Sequence, residues 1–494
     1  MHRRRFCKLA ASGAIGAIAS PWNGTLQAVP AKAAGGNDAS GVSVTAGGKT
    51  SLPRIRVHPG WRGLITTDNK PFVPFGTMYF RASDGWTPRF WQKFDATATH
   101  RDLRLLQSQG FNIVRLWLTS LSFYPRPGVL DFSAIEKFDR FLAMAEEVGI
   151  YVQVCALTTW QKRPLNEVPH WQRGDEYADP QALEYQVQFW SMLASRYKGR
   201  NVIMAYELAN EPTVGWETPA MQRAWNKWNH RSTPIPPSRD KAGDSALLAF
   251  QHFREHIADQ WTQRQAAAIK RADPDALVTV GLIQWSVPGT PIPLKLYSGF
   301  RPQRQAKFLD FMEIHFYPLA AGGYRYDSEA TRLANLAYLQ CVVQGAALPG
   351  LPTVLAEFGW YGGGFCPNYG PPKYASQQQQ ADFCAQEVQM STPLACGWLN
   401  WAMYDNPVAA DVTRFSGLFT ANGQEKIWGK RFSQIAAEYR NHLPPPRTIA
   451  GLAAHRRECL HAAGRQLELA GLVAVGGAEI SLDRVQNKFR PHCA

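Results

Sequence analysis

The 494-residue chain is poor in charge and lacks several patterns that would point to particular classes of protein. Charged residues make up 19% of the sequence and hydrophobic residues 45%, a balance typical of a folded globular protein. No Gly-rich phosphate-binding fingerprint follows the first predicted strand, which disfavours a doubly wound nucleotide-binding sheet. No Cys-x-x-Cys pair is present, so the usual structural zinc motifs are missing.

The sequence also lacks a hydrophobic run of the ~20 residues that a membrane-spanning helix needs. The apolar stretch at residues 9–20 is too short, but it follows a basic segment, RRRFCK at residues 3–8, and precedes the Ala-Lys-Ala of residues 31–33. This order is typical of a signal peptide, and the basic segment resembles a twin-arginine export signal. We therefore predict that residues 1–34 direct export to the periplasm or medium, with no stable membrane insertion after their removal.

The net charge of +14 has no concentrated source that would indicate nucleic-acid binding. Five of these excess positive charges lie in residues 1–34 and three in residues 447–494, which leaves six for the rest of the chain. These six are scattered and form no basic stripe, and no nucleic-acid-binding motif accompanies them. A basic, solvated surface accounts for the charge, and we expect no nucleic-acid partner.

Eight cysteines are spread along the chain. Cys155 lies in an apolar strand-like segment and is predicted to be a buried thiol. Cys341, Cys366, Cys384 and Cys396 cluster late in the chain, and in an oxidising compartment they are candidates for disulfide pairing. The sequence does not determine whether or how they pair.

The middle of the chain alternates apolar strand-like segments with amphipathic helical ones. The predicted strands are residues 72–80, 111–118, 150–157, 202–212, 276–282, 308–318, 352–360 and 395–403. The predicted helices are residues 101–109, 133–148, 180–197, 245–271, 328–345, 377–390 and 428–439. Continuously apolar strands separated by helices favour a parallel sheet, and eight of them favour a closed (β/α)8 TIM barrel with long loops at the carboxyl ends of its strands.

Composition changes at both ends of this alternating region. Residues 35–50 are rich in Gly, Ser and Thr and are predicted to be a linker. Residues 51–443 form the predicted catalytic domain, which ends at the proline-rich sequence LPPPR. Residues 444–494 show no clear periodicity and form a carboxyl-terminal extension whose role the sequence does not indicate.

Polar and aromatic residues stand at the carboxyl ends of five of the eight predicted strands. They are Arg115 on the second strand, Asn210 and Glu211 on the fourth, His315 and Tyr317 on the sixth, Glu357 on the seventh and Trp401 on the eighth. The carboxyl ends of the strands form the active site of a (β/α)8 barrel. We therefore expect these side chains to converge on one pocket.

Two glutamates facing each other across a pocket suit cleavage of a glycosidic bond. One carboxyl group must protonate the departing oxygen, while the other must be ionised to attack the anomeric carbon or to activate water. Glu211 and Glu357 are the candidates. A cation such as Arg115 beside one of them would keep it ionised, and a phenol such as Tyr317 could orient the same oxygen.

The ordered set of strand-end residues resembles that of the retaining glycoside hydrolases of family 5, the cellulase and mannanase family. The resemblance covers roughly residues 52–442 and includes the Asn-Glu-Pro sequence of residues 210–212. It implies that Glu211 is the acid/base and Glu357 the nucleophile, and that Asn210 hydrogen-bonds the 2-hydroxyl of the sugar.

The same resemblance assigns supporting roles to the remaining strand-end residues. Arg115 and Tyr317 would steady the nucleophile, His315 would line the same subsite, and Trp401 would stack on the sugar. The resemblance implies neither a metal nor an organic cofactor. The chain departs from many family 5 endoglucanases at residues 157–160, Leu-Thr-Thr-Trp, where the third strand ends without a histidine.

We predict an O-glycosyl hydrolase that acts with retention on a β-linked polysaccharide or oligosaccharide of the mannan or glucan type. An exo-acting β-mannosidase or β-galactosidase is an alternative, because the insertion at residues 213–245 could wall off one end of the groove. A catalytically silent carbohydrate-binding barrel is a second alternative, which the presence of both glutamates disfavours. A metal-dependent hydrolase would need His/Asp clusters at several strand ends, whereas only His315 stands at one. The oligomeric state is not indicated.

Overall fold

The computed structural model describes residues 52–85, 89–156, 174–215, 218–236, 245–287, 297–318, 324–366 and 373–442. The predicted export signal, linker and carboxyl-terminal extension lie outside these residues, as does the third-strand end at residues 157–160, so those assignments stay predictions. Within the described ranges, no helix has the length and apolar character that crossing a membrane requires.

The described chain begins with a small antiparallel sheet and continues into a closed parallel barrel. The small sheet consists of β1 (Ile55–Val57), β2 (Leu64–Thr66) and β3 (Pro71–Phe72). The other strands are β4 (Phe75–Met78), β5 (Ile113–Trp117), β6 (Tyr151–Cys155), β7 (Ile203–Asn210), β8 (Leu277–Ile283), β9 (Met312–His315), β10 (Thr353–Phe358), β11 (Gly364–Cys366), β12 (Lys373–Ala375) and β13 (Gly397–Asn400). Strands β4 to β10 and β13 form the barrel, and β11 pairs with β12 as a separate hairpin.

Helices occupy the connections between the barrel strands, as the predicted (β/α)8 architecture requires. They are α1 (Arg89–Gln92), α2 (Ala96–Ser108), α3 (Ser120–Phe123), α4 (Phe132–Val148), α5 (Asp175–Ala178), α6 (Pro180–Arg196), α7 (Pro219–Trp228), α8 (Ser245–Ala272), α9 (Pro302–Gln305), α10 (Glu329–Ala347), α11 (Gln377–Ser391) and α12 (Ile427–His442). Neighbouring barrel strands are parallel around the whole ring, which confirms the predicted fold class.

The ends of α4 illustrate how local sequence sets these elements. The Asp131 side chain accepts a hydrogen bond from the backbone N–H of Ala134, which satisfies an otherwise unpaired donor of the first turn. At the other end Gly149 adopts φ +79°, a left-handed conformation that glycine reaches without the steric cost of a Cβ. The predicted stop of this helix at Gly149 is confirmed.

The predicted first strand, residues 72–80, is wrong in its bounds because two sheets share that segment. Phe72 pairs with Leu64 in the small sheet, whereas the barrel strand begins only at Phe75. Pro74 separates the two. Proline has no N–H to donate to a ladder, and its carbonyl instead accepts from the N–H of Trp398 on β13 at 2.8 Å.

A second apolar cluster, distinct from the main core, lies at the amino-terminal ends of the barrel strands. Ile55, Leu64 and Phe72 of the small sheet pack there with Ile113 and Tyr151, the first residues of β5 and β6. The small sheet therefore packs against the end of the barrel opposite the predicted site.

The cysteines in the described part of the chain form no disulfide. Cys155, Cys341, Cys366, Cys384 and Cys396 are all buried free thiols. The thiol predicted for Cys155 is present, and the possible pairing of the four later cysteines does not occur.

Candidate active site

The predicted site residues stand on barrel strands, Arg115 in the middle of its strand and the others at or just beyond a carboxyl end. Arg115 is the third residue of β5, Asn210 ends β7 and Glu211 follows it, His315 ends β9 with Tyr317 two residues on, Glu357 is the penultimate residue of β10, and Trp401 follows β13. Contacts connect the first six of these directly, as described below. Trp401 joins them through an aromatic neighbour.

Arg115 is the centre of the site and is completely buried. Its Nε and Nη2 donate to the two carboxylate oxygens of Glu207, each at 2.6 Å, in the two-pronged geometry that a planar guanidinium favours. Nη2 also donates to Oδ1 of Asn210 at 2.6 Å, and Nη1 donates to Oε2 of Glu357 at 2.8 Å. One rigid cation thus fixes residues from β7 and β10 relative to β5.

Glu357 is held from two sides and is only 5% exposed. Arg115 donates to Oε2, and the Tyr317 hydroxyl donates to Oε1 at 2.8 Å. Burial raises the pKa of Glu357 above its ordinary value; the charges of His315 and Arg115 act in the opposite direction and only partly offset the effect. With both oxygens accepting hydrogen bonds, the carboxylate is fixed in orientation.

His315 connects the two glutamates. Its Nδ1 lies 3.3 Å from Oε1 of Glu211 and 3.6 Å from Oε2 of Glu357. Burial lowers the pKa of His315, but the charge of Glu357 and hydrogen bonds with Glu211 and Glu313 outweigh burial and raise it to about 10. The raised pKa favours the imidazolium at neutral pH, the form in which both ring nitrogens can donate.

Glu211 lies at a strained backbone position, with φ +49°. Its N–H donates to the carbonyl of Gly281 on β8 at 2.7 Å, which holds the residue at the end of β7. Glu211, His315 and Glu357 each present a ligand-type atom, and these atoms all lie within 4.8 Å of one another. The two glutamates therefore face each other at close range.

Trp401 forms an aromatic wall with Trp117 and Phe80. Its ring centroid lies 5.3 Å from that of Trp117 and 5.7 Å from that of Phe80, and its Nε1 donates to Oγ1 of Thr413 at 3.0 Å. The Arg115 guanidinium carbon lies 5.8 Å from the Trp117 ring centroid. The wall thus adjoins the charged residues, where a pyranose ring could stack.

Other tryptophans near the strand ends have packing roles. Trp360 is buried, and its Nε1 donates to the carbonyl of Tyr324 at 2.7 Å. Trp225 and Trp228 stack on each other in α7, with ring centroids 5.4 Å apart. Trp160, Trp171 and Trp216 lie outside the described residues.

Three buried polar residues inside the barrel were missed by the sequence reasoning. Glu207, Gln153 and Glu313 lie one layer below the predicted site, and Nε2 of Gln153 donates to Oε2 of Glu207 at 3.0 Å and to Oε1 of Glu313 at 2.9 Å. A signal existed for one of them. Glu313, His315 and Tyr317 alternate along one chain segment, so they face the same side of a strand.

Two groups of side chains have the composition of a metal site, namely Glu207, Glu313 and His315, and Glu211, His315 and Glu357. One glutamate of each group, Glu207 or Glu357, already accepts hydrogen bonds from Arg115, and Arg115 would also repel a second cation at this distance. The donor set fits proton chemistry better than metal binding.

The model of the cellulase family, glycosyl hydrolase family 5, matches residues 67–407 of the chain. A comparison with curated protein sequences found no match.

Solved structures with the same fold include an enzyme named as a mannosidase and one named as a mannanase. An exo-β-1,4-mannosidase from Opitutaceae bacterium strain TAV5 has a TM-score of 0.57 and 19% identity, over 78% of this chain and 62% of its own, so the chain spans less than two thirds of that enzyme. A GH5_18 protein from Streptomyces cattleya in complex with GlcNAc has a TM-score of 0.57 and 18% identity, over 76% and 82%. An endo-1,4-β-mannanase from Rhizomucor miehei has a TM-score of 0.56 and 15% identity, over 79% and 100%.

Proposed function

Because the chain belongs to glycosyl hydrolase family 5 and is an O-glycosyl hydrolase, we propose that it cleaves β-glycosidic bonds with retention of anomeric configuration through two glutamates. The observation that carries the proposal is the close approach of Glu211 and Glu357, each of which has one carboxylate oxygen within 4.8 Å of an oxygen of the other. Retention uses carboxyl groups about 5–5.5 Å apart, whereas inversion needs about 6.5–9.5 Å to fit a water molecule.

In the first step Glu357 attacks the anomeric carbon and forms a glycosyl-enzyme. Arg115 and Tyr317 hold its two oxygens, so the attacking atom is presented in a fixed orientation. Glu211 gives a proton to the departing glycosidic oxygen. His315 donates to one oxygen of Glu211, which leaves the acid proton to the other oxygen.

In the second step Glu211, now ionised, removes a proton from water as the water attacks the same carbon. The bond to Glu357 breaks, and its carboxylate returns to Arg115 and Tyr317. Both steps pass through an oxocarbenium-like transition state, whose positive charge the two carboxylates stabilise. In this proposal Asn210, whose Oδ1 accepts from Arg115, hydrogen-bonds the sugar 2-hydroxyl.

We propose a β-mannoside or β-glucoside of poly- or oligosaccharide type as substrate. The likeness to an exo-β-1,4-mannosidase and to an endo-1,4-β-mannanase supports mannose-containing substrates and leaves both modes of attack as candidates. Export through the predicted signal at residues 1–34 is part of the same proposal, since polymeric substrates lie outside the cell.

Azide rescue tests the assignment of the two glutamates. Glu211→Ala should lose activity on poor leaving groups, and azide should restore turnover of an activated aryl glycoside and give a β-glycosyl azide of retained configuration. An azide product of inverted configuration would exchange the two roles. Glu387→Ala, which alters a fully buried glutamate on α11 away from the site, is a control expected to need no azide.

The mode of attack requires a separate measurement. Purified protein is incubated with β-mannan, β-glucan and reduced oligosaccharides, and product lengths are followed by chromatography during the first few per cent of hydrolysis. A spread of oligosaccharides supports endo action. Release of single sugars alone would support the exo-acting alternative.

A further inference from the structure

A second pair of carboxyl groups lies below the catalytic pair, completely buried in the barrel. Glu207 and Glu313 are both 0% exposed, and Gln153 bridges them through its Nε2. Glu207 accepts two hydrogen bonds from Arg115. Glu313 has a different partner, since its Oε1 lies 3.4 Å from Nε2 of His315.

His315 is thus placed between an upper and a lower acceptor. Nδ1 faces Glu211 and Glu357, and Nε2 faces Glu313 on the same strand. The imidazole can satisfy carboxylates on both sides only when both ring nitrogens carry a proton. When both carboxylates are ionised the geometry favours the imidazolium, and Glu313, which is completely buried, lies on the side of the ring away from the catalytic pair.

The other ionisable groups around His315 have contacts of their own. Arg115 on β5 lies 3.6 Å from Oε1 of Glu313 through its Nε. Glu207 on β7 opposes Glu313 as a like charge, and Cys155 on β6 contacts Arg115. Tyr317 donates to Glu357. Glu207 and Glu313 both lie on the Nε2 side of the ring, with one atom of each and of His315 within 4.8 Å of one another, and Glu313 is the one at hydrogen-bond distance.

We propose that Glu313 is a positioning residue that keeps His315 doubly protonated, so that its Nδ1–H stays directed at the two catalytic carboxyl groups. The proposal rests on the proposed function, because it names what holds the same site ready. Without the negative charge of Glu313, the imidazolium would lose a proton at lower pH. A neutral ring protonated only at Nε2 would no longer donate to Glu211.

The titration of Glu313 is consistent with this arrangement. Burial and the charge of Glu207 raise the pKa of Glu313 to about 7, even though His315 and Arg115 act in the opposite direction. As the pH rises through this range, Glu313 becomes more negative and binds the imidazolium more strongly. The His315 proton is therefore retained further into the alkaline range than an isolated buried histidine would allow.

The test measures the protonation of His315 directly by nuclear magnetic resonance of the full chain labelled with 15N-histidine. The His315 signal is assigned by its loss in His315→Asn, and its titration midpoint is measured in the parent and in Glu313→Gln. We expect the midpoint to fall by at least about one pH unit in Glu313→Gln, as removal of an opposite charge within about 4 Å predicts. Glu313→Asp, which keeps the charge but shortens the side chain, should give a smaller fall.

Glu387→Gln is the matched control, because it makes the same change at another fully buried glutamate outside the barrel interior. It should leave the His315 midpoint unchanged. An unchanged midpoint in Glu313→Gln, or an equal fall in both variants, would overturn the proposal. The measurement uses no substrate, so absence of glycosidase activity would not affect it, and failure of the two proposals can be distinguished.

Discussion

Replacement of Arg115 by methionine should destabilise the fold far more than loss of an ordinary ion pair. Arg115→Met keeps most of the side-chain volume but leaves Glu207, completely buried, without the cation that binds both its oxygens at 2.6 Å. Removing one partner of a buried pair typically costs about 3–5 kcal/mol. We expect a loss of that size in the free energy of unfolding at pH 7.

Urea unfolding followed by tryptophan fluorescence provides the measurement, with the loss taken from the midpoint shift and the slope. Arg196→Met is the matched control. Arg196 pairs with Asp139 at 2.6 Å, but the two side chains are 40% and 37% exposed, so its loss should cost at most about 1 kcal/mol. A cost below about 1 kcal/mol for Arg115→Met would refute the reasoning.

The pH dependence of this loss has a definite sign. Burial raises the pKa of Glu207, but the charge and hydrogen bonds of Arg115 outweigh burial and lower it below its ordinary value. In the parent, this group contributes stability above its unfolded pKa, and the contribution is lost as the pH falls through the folded pKa. Without Arg115 only burial and weaker partners remain, so the pKa of Glu207 rises. The penalty of Arg115→Met should therefore be larger at pH 8 than at pH 5.

Three further predictions concern the site and its support. Tyr317→Phe removes the hydroxyl that donates to Glu357, and a hydrogen bond to a charged partner contributes about 1.5–3 kcal/mol. The value of kcat/KM on an aryl glycoside should therefore fall about 10- to 150-fold, and an unchanged value would contradict the assigned contact. On the acid side, kcat/KM should fall to half its maximum at a pH above about 4.3, the ordinary pKa of glutamate, because burial raises the pKa of Glu357 and its protonated form cannot attack. A half-maximum below about 4.3 would count against Glu357 as the nucleophile. Lys426→Met removes the cation from buried Asp405, which among the described residues keeps only the N–H of Gly417, and should cost about 3–5 kcal/mol in urea unfolding. The cost should be larger at pH 8 than at pH 5 because the pKa of Asp405 is already about 6, and equal costs at both pH values would argue against this pair.

The barrel and the strand residues of the predicted site could be predicted because local sequence patterns mark both of them. Eight apolar segments separated by helical ones require a parallel sheet, and a parallel barrel brings the carboxyl ends of its strands together. Glu211, His315 and Glu357 each stand where an apolar segment ends, and Arg115 lies within one, so their meeting followed from the fold.

The layer below the predicted site, formed by Glu207, Gln153 and Glu313, could not be predicted in the same way. Parallel barrel strands are buried on both faces, and every residue of β7 is buried, so no alternation of polar and apolar residues marks which side chains point inward. Glu207 looked like part of an apolar run. Its bond to Arg115 and the bridge from Gln153 to Glu313 depend on the closure of the ring. The same limit applies around Pro74. The strands on either side of it belong to different sheets, but in sequence they resemble one continuous strand.

Covalent trapping tests the central claim most directly. The protein is incubated with activated 2-deoxy-2-fluoro-β-mannosides and 2-deoxy-2-fluoro-β-glucosides, digested, and examined by mass spectrometry for the labelled peptide. We predict a single fluoroglycosyl ester on Glu357 and no label in Glu357→Gln. A label on Glu211, or hydrolysis with inverted configuration and no covalent adduct, would contradict the two-glutamate mechanism proposed for this site.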